Sequence, residues 1–260
     1  MLYSRCVVGL VLLLLLSGNS SSLHAADAVT EKKSSEKAIQ LITDIEDMYR
    51  ADSSIAKLSM RIETPHYQRT ITMYSESLGT KKAFIRLLSP RKDRGISTLK
   101  LDKEMWNYFP KINKVIKVPP SMMMGSWMGS DFTNDDLVKE TTLIDEYWLS
   151  LDETEELYII TLLPREKTVT VWGKMEISIR KDNLHPVQRI FYDDDGSKVR
   201  VMTYREPKQF GNLTLPSVME MVPLNKEGHR TLVIYESLEL NSDDVKEETF
   251  TLRHLKKRFR

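Results

Sequence analysis

The chain has 260 residues, of which 38 are lysine or arginine and 37 are aspartate or glutamate, so its formal net charge is +1. A charge this close to zero does not favour a nucleic-acid binder that relies on bulk positive charge. The single cysteine, Cys6, precedes an apolar run, so the rest of the chain can form no disulfide and has no thiol for catalysis or metal binding.

The N-terminus has the parts of a secretory signal peptide. Arg5 is followed by an unbroken apolar run at 7–16 and then by small and polar residues. The run is shorter than the roughly 20 apolar residues that span a bilayer, which argues against the alternative of an uncleaved anchor. We expect residues 1–26 to be a signal peptide cleaved between 25 and 28, and the mature protein to be exported without a lipid anchor.

Farther along, the apolar spacing changes from helical to strand-like. Residues 35–50 place apolar side chains at i, i+3, i+4 and i+7, which predicts one amphipathic helix. From Lys57 onward, apolar and polar residues alternate with a period of two, which is typical of half-buried strands. The predicted strands are 57–63, 71–73, 83–87, 96–101, 105–109, 115–118, 147–151, 157–162, 169–179, 187–192, 199–204, 213–222 and 231–240.

About a dozen strands, one long helix and one short helical insert, without a repeat or a Gly/Ser linker, predict a single domain over residues 27–260. The expected fold is mainly β with an α-helical lid, built on one large curved antiparallel sheet that forms a half-open barrel. A sheet of this size curls, and its concave face must be filled or covered. The helix at 35–50 and the segment 121–137 are the candidates to cover it.

The segment 121–137 is apolar but irregular. It carries four of the 13 methionines, and Gly125 and Gly129 interrupt it, so neither a strand nor a long helix fits. Methionine side chains repack on varied shapes, so a lid at 119–140 is predicted to be a mobile cover over an apolar cargo. The alternative is a plug that fills the core of a closed barrel. The predicted cargo contacts are Met122, Met123, Met124, Trp127, Met128 and Phe132.

The end of this segment contains a predicted helix start. Thr133 as N-cap with Asp136 three residues later is a capping-box-like pair, and Phe132 with Leu137 is a hydrophobic staple. We therefore expect Thr133, Asp136 and Leu137 to anchor the lid to the fold. Asp135 and Asp136 are interpreted as structural rather than catalytic or metal-binding.

Two charged stretches each have two interpretations. The sequence Asp194-Asp195-Gly196-Ser197 predicts a hairpin turn rather than a calcium loop, whose ligands alternate along the chain and end in a glutamate that is missing here. The basic residues at 253–260 fit a frayed, solvated tail, and they also fit contact with an anionic membrane surface or partner.

No catalytic or metal-binding motif stands out. The sequence lacks G-x-S-x-G, H-E-x-x-H and a Gly-rich phosphate loop, and no two histidines after the signal have metal-ligand spacing. We expect a protein without enzymatic activity, cofactor or metal.

The run MWNYFPKINKVIKVPPSMMMGSWMGSDFTNDDL at 105–137, preceded by Arg94-Gly95 and Thr98-Leu99, resembles the bacterial outer-membrane lipoprotein-sorting proteins. These are similar to the periplasmic lipoprotein carrier LolA and its receptor LolB. The resemblance implies a periplasmic half-open barrel that carries the acyl chains of a lipid or lipoprotein to or from the outer membrane. It also implies pairing with an inner-membrane exporter of the resistance-nodulation-division (RND) type.

The resemblance further implies an arginine that latches the lid, for which Arg61, Arg69 and Arg86 on the early strands are the candidates. Two other functions stay open beside the carrier. One is a lipid-sensing regulatory protein of the cell envelope with the same fold, and the other is an enzyme that acts on lipid.

Overall fold

The structure is a computed structural model, and it describes residues 34–49, 51–139 and 143–257. The predicted signal peptide at 1–26 and the last residue of the predicted lid, 140, lie outside these ranges. Thirteen strands form one sheet. Their bounds are β1 Ser53–Glu63, β2 Gln68–Leu78, β3 Lys82–Ser89, β4 Ser97–Leu101, β5 Glu104–Phe109, β6 Lys114–Lys117, β7 Tyr147–Glu153, β8 Leu157–Pro164, β9 Lys174–Arg180, β10 Pro186–Tyr192, β11 Lys198–Phe210, β12 Leu213–Pro223 and β13 Arg230–Leu240.

Every strand of the sheet runs antiparallel to its neighbours. The order is β6-β5-β4-β3-β2-β1-β13-β12-β11-β10-β9-β8-β7, so only the central pair of β1 and β13 joins strands that do not follow one another in the chain. Strands β6 and β7 are the two edges, and the sheet is open. The predicted mainly β fold with a large curved antiparallel sheet is confirmed.

The helices are few and short. They are α1 Glu36–Tyr49, α2 Asn134–Lys139, α3 Leu143–Glu146 and α4 Leu252–Leu255, with single 3₁₀ turns at Pro120–Met122 and Glu247–Thr249. The predicted first helix is confirmed as α1, whose buried residues Ala38, Leu41 and Ile42 pack with strands β7 to β9. None of the helices in the described part of the chain has both the length and the apolar character needed to cross a membrane.

The period of two assigns the side chains of each strand to opposite faces. On β1, Ala56, Leu58 and Met60 face the concave side, whereas Phe84 and Arg86 on β3 face the convex side. The C-terminal helix α4 covers that convex face, because its Leu255 is fully buried against the cluster around Phe84.

The frayed tail predicted at 253–260 is therefore wrong for residues 253–255, which belong to α4, and residues 258–260 lie outside the described part of the chain. Thr251 caps α4, and its hydroxyl accepts a hydrogen bond from the backbone N–H of His254 at 3.1 Å. The imidazole of His254 lies edge-on to Phe84, with 5.2 Å between ring centroids. A short apolar pair at i and i+3 beside many basic residues gives too weak a signal for a helix of one turn.

The predicted strand at 169–179 is wrong in its first half. Val169 and Val171 have the β-branched alternation of a strand, yet both are exposed and β9 begins only at Lys174. At Gly173 a Cβ would lie 2.5 Å from the carbonyl oxygen of Asp193, a spacing that only glycine tolerates. The hairpin turn at 194–197 is confirmed: Gly196 has a φ of +80°, and its N–H donates to the carbonyl of Asp193 at 3.1 Å.

Candidate functional site

A two-part cavity lies on the concave face of the sheet. Its two compartments have volumes of about 340 Å³ and about 470 Å³, and they share a wall that includes Ala83, Leu137 and Leu143. Together they fall in the size range of sites that hold small apolar ligands. Most lining side chains are apolar, including Met60 and Met73 from the central strands. The alternation along each strand places these residues on one face.

The first compartment is covered by the irregular segment between β6 and α2. Trp127, Phe132 and Leu137 line this compartment, and Trp127 is only 4% exposed. Trp127 packs with the apolar cluster of β1 to β3, whereas Phe132 packs with the cluster of α1 and strands β7 to β11. The segment thus bridges the two halves of the concave face. Ile42 and Ile45 of α1 line the second compartment.

The methionines of the segment are less buried than Trp127. Met122 is 59% exposed, Met123 and Met124 are partly buried, and Met128 packs against the cluster around Trp127. Of the six predicted cargo contacts, Trp127 and Phe132 line the compartments described above.

The junction between the segment and α2 has a reciprocal cap. The backbone N–H of Thr133 donates to Asp136 Oδ2 at 2.7 Å, and the backbone N–H of Asp136 donates to Thr133 Oγ1 at 3.1 Å. Asn134 adds hydrogen bonds of 3.1 Å from its Nδ2 to the carbonyls of Met122 and Gly125. These bonds fix the path of the segment over the first compartment.

Asp136 also forms a buried ion pair that sequence reasoning missed. Its Oδ2 and Oδ1 accept from Arg200 Nη1 at 2.8 Å and Nη2 at 2.5 Å, and the side chains are 4% exposed for Arg200 and 19% for Asp136. The guanidinium carbon of Arg200 lies 4.5 Å from the Trp172 ring centroid and 4.0 Å from that of Phe191. The alternation of side chains along β11 could have indicated that Arg200 faces the cavity, because Arg200 points to the same side of the strand as Met202, which lines the cavity.

The three arginine candidates for a latch occupy different places. Arg69 contacts the segment, because its Nη1 donates to the carbonyl of Met128 at 3.3 Å while its Nη2 pairs with Asp93 at 2.6 Å. Arg86 lies on the convex face, where it donates to Ser97 Oγ at 2.9 Å and to the carbonyl of His254 at 3.2 Å. Arg61 is exposed on β1.

A third contact to the segment comes from β13. Thr231 Oγ1 donates to Asp131 Oδ2 at 2.7 Å and accepts from the backbone N–H of Asp131 at 3.0 Å. Trp127 Nε1 donates to Thr98 Oγ1 at 3.2 Å on the opposite side of the compartment. The cover is therefore held at several points by polar contacts, in addition to the apolar packing of Trp127 and Phe132.

Apolar side chains predominate in the cavity lining, which also includes the charged residues Lys100, Arg189, Asp135 and Asp136. Lys100 lines both compartments, and its Nζ donates to the carbonyl of Thr80 at 3.0 Å. Burial raises the pKa of the Tyr147 phenol above its usual range, so this lining hydroxyl keeps its proton at neutral pH. Within residues 34–49, 51–139 and 143–257, no group of three His, Cys, Asp or Glu side chains could hold a metal ion.

Comparison with known proteins gives the same fold. A family model described as "uncharacterized protein" matches residues 79–257, which is more than half of the chain. The chain belongs to that family and has the LolA-like fold. A search of curated proteins found no match to the sequence.

Three solved structures share this LolA-like fold. An outer membrane lipoprotein-sorting protein domain from Vibrio parahaemolyticus is 21% identical, with a TM-score of 0.76 over 85% of this chain and 99% of that chain. A DUF1329 family protein from Desulfovibrio piger is 18% identical, with a TM-score of 0.79 over 86% and 99%. A LolA superfamily protein from Nitrosomonas europaea is 16% identical, with a TM-score of 0.69 over 84% and 98%. The resemblance noted in residues 105–137 is confirmed.

Proposed function

We propose that the protein is a periplasmic carrier that binds acyl chains of a lipid or lipoprotein in the two-part cavity, without enzymatic activity. The observation that carries the proposal is the largely apolar cavity, with compartments of about 340 Å³ and about 470 Å³, beneath the segment that carries Trp127 and Phe132. Each methylene transferred from water to such a cavity contributes roughly 0.8 kcal/mol, so one long acyl chain contributes on the order of 10 kcal/mol.

Release of such a cargo requires the cover to open. The segment that carries Trp127 and Phe132 is the element we propose to move, because both side chains line the first compartment. Loading and delivery to or from the outer membrane would then involve an inner-membrane exporter, for which an RND-type transporter is our proposed partner. The lipoprotein-sorting domain from Vibrio parahaemolyticus has the same fold and supports this assignment by analogy only.

The test is native mass spectrometry and lipid extraction of protein purified without detergent. A filling variant, Ala83→Trp, places a large ring where the two compartments meet, and Thr70→Trp adds the same ring at an exposed position of β2. We expect the wild type and Thr70→Trp to carry a lipid that Ala83→Trp lacks. A wild-type protein that is reproducibly empty and takes up no acyl chain would refute the carrier.

A lipid sensor would give a different result in a second assay. Radiolabelled lipid bound to the protein should pass to acceptor vesicles if the protein is a carrier. Retention of the lipid together with lipid-dependent capture of a membrane protein would favour the sensor.

A further inference from the structure

The edge of the sheet next to the cover presents an exposed surface of basic and aliphatic side chains. This surface, the hairpin patch, consists of Arg91, Lys92, Lys111, Ile112, Lys114 and Ile116. All six are exposed, and the side chain of Ile112 is 58% exposed. Exposed single apolar residues are ordinary, but two isoleucines among four cations on one hairpin and its neighbouring loop are not.

One contact and the alternation along β6 bring the parts of the hairpin patch together. A Cβ at Gly95 would lie 3.5 Å from Pro110 Cγ, so the loop with Arg91 and Lys92 lies against the turn of the β5–β6 hairpin. Lys114 and Ile116 are two residues apart on β6 and therefore point to the same face.

The hairpin patch adjoins the cover of the cavity. Arg69 connects them, because it pairs with Asp93 in the basic loop and donates to the carbonyl of Met128 in the cover. Ile116 lies opposite Asn107 on β5, whose Oδ1 accepts from Thr98 Oγ1 at 2.7 Å, and Thr98 lines the first compartment. The apolar side of the hairpin therefore continues the face of the sheet that forms the cavity.

The charges of the hairpin patch are available to an outside partner. Within the described part of the chain, no acidic side chain lies within ion-pair distance of Arg91, Lys92, Lys111 or Lys114. The nearby acids are already used, since Asp93 pairs with Arg69 and Glu104 pairs with Lys117. A surface of this composition is complementary to a negatively charged one.

We infer that the hairpin patch docks the protein on an anionic lipid bilayer. The lysines and arginines would meet lipid headgroups while Ile112 and Ile116 enter the boundary between headgroups and acyl chains. Strand pairing with a protein partner is disfavoured, because β6 has four residues with lysine at both ends and is followed by Pro119-Pro120. The role that we assign to this docking rests on the proposed carrier function, because docking through the hairpin patch brings the covered compartment next to the bilayer.

Flotation with vesicles tests the docking surface. We expect the wild type to bind vesicles of phosphatidylcholine mixed with phosphatidylglycerol more strongly than phosphatidylcholine alone, and to bind less in high salt. Lys111→Glu with Lys114→Glu should weaken binding at least tenfold, since each basic residue near an anionic surface contributes about fivefold. Ile112→Ser with Ile116→Ser should also weaken binding while preserving its salt dependence.

The β12–β13 turn supplies a matched control at the same end of the sheet. Its Leu224 is 50% exposed and its Lys226 is exposed, so Leu224→Ser with Lys226→Glu repeats the chemistry of the test on another turn. This control should bind like the wild type. An equal loss of vesicle binding in the control, or unchanged vesicle binding after the Lys111 and Lys114 changes, would overturn the inference. Binding of the wild type to immobilised polyglutamate but not to vesicles would also overturn it.

A labelled variant gives a second readout that does not depend on loss of function. The fluorescence emission of an environment-sensitive dye attached to Ile112→Cys should shift to shorter wavelength when anionic vesicles are added. The emission of the same dye on Leu224→Cys should not shift. No shift at position 112 would overturn the inference. Acyl-chain uptake by the hairpin variants should equal that of the wild type. Vesicle binding without acyl-chain uptake in the wild type would refute the carrier and leave the docking surface standing.

Discussion

Replacing Asp136 by asparagine is expected to lower the free energy of unfolding by about 3–5 kcal/mol, because it leaves a buried guanidinium without its counter-charge. Arg200 is 4% exposed, so water cannot take the place of the carboxylate. Asparagine keeps a side-chain oxygen that can accept from the backbone N–H of Thr133, so the cap is retained and the charge alone is removed. Urea denaturation of the two proteins measures the difference.

A double-mutant cycle with Arg200→Met isolates the pair. The coupling energy should be at least about 1 kcal/mol, as for residues that share a buried ion pair. Asp182→Asn is the matched control, because Asp182 pairs with Arg180 at 3.0 Å with side chains 60% and 48% exposed, and surface pairs contribute about 0–1 kcal/mol. If Asp136→Asn and Asp182→Asn both changed the free energy of unfolding by the same small amount, the interpretation of Arg200 and Asp136 as a stabilising buried ion pair would be refuted.

Three further predictions, which use four substitutions, test the cover and the C-terminus. Thr133→Ala should lower the free energy of unfolding by about 1 kcal/mol through loss of the cap, and a change near zero in urea unfolding would contradict the cap. Trp127→Ala should lower it by about 3–5 kcal/mol, whereas exposed Met122→Ser should change it by less than about 0.5 kcal/mol; similar effects of the two would contradict their different burial. Burial and the nearby Arg86 lower the pKa of His254, so the folded state favours the neutral imidazole and stability should fall as the pH drops below about 6.5. The loss of stability at low pH should be smaller in His254→Gln when the free energy of unfolding is measured across this pH range. Identical pH profiles for the variant and the wild type would contradict a lowered pKa of His254.

Local patterns predicted the parts of the site that depend on neighbouring residues. The cap at Thr133 and Asp136 follows from a spacing of three residues, and the faces of the strands follow from a period of two. The sequence could not show that Asp136 meets Arg200, because the two are joined only when the central strands pair across the sheet.

The sequence also could not show how deeply each side chain of the cover is buried. The pattern grouped Trp127 with the methionines around it, whereas the structure buries Trp127 against Thr98 and exposes Met122. An apolar residue type does not reveal whether its side chain faces the cavity or the solvent. In this segment, the orientation of each side chain depends on the backbone path, which the glycines and the cap determine. Val169 and Val171 show the converse, since both have a strand-like alternation and yet are exposed and precede the start of β9 at Lys174.

Anomalous scattering from a brominated fatty acid tests the acyl-chain carrier most directly. Crystals of the detergent-free protein loaded with a chain brominated near its methyl end would locate the bromine relative to the cover. We expect the signal inside the cavity, between Phe132 or Leu137 and the side chains of Met60 and Met73. A bromine signal only outside the cavity, or an empty cavity in protein that has taken up the fatty acid, would contradict the carrier.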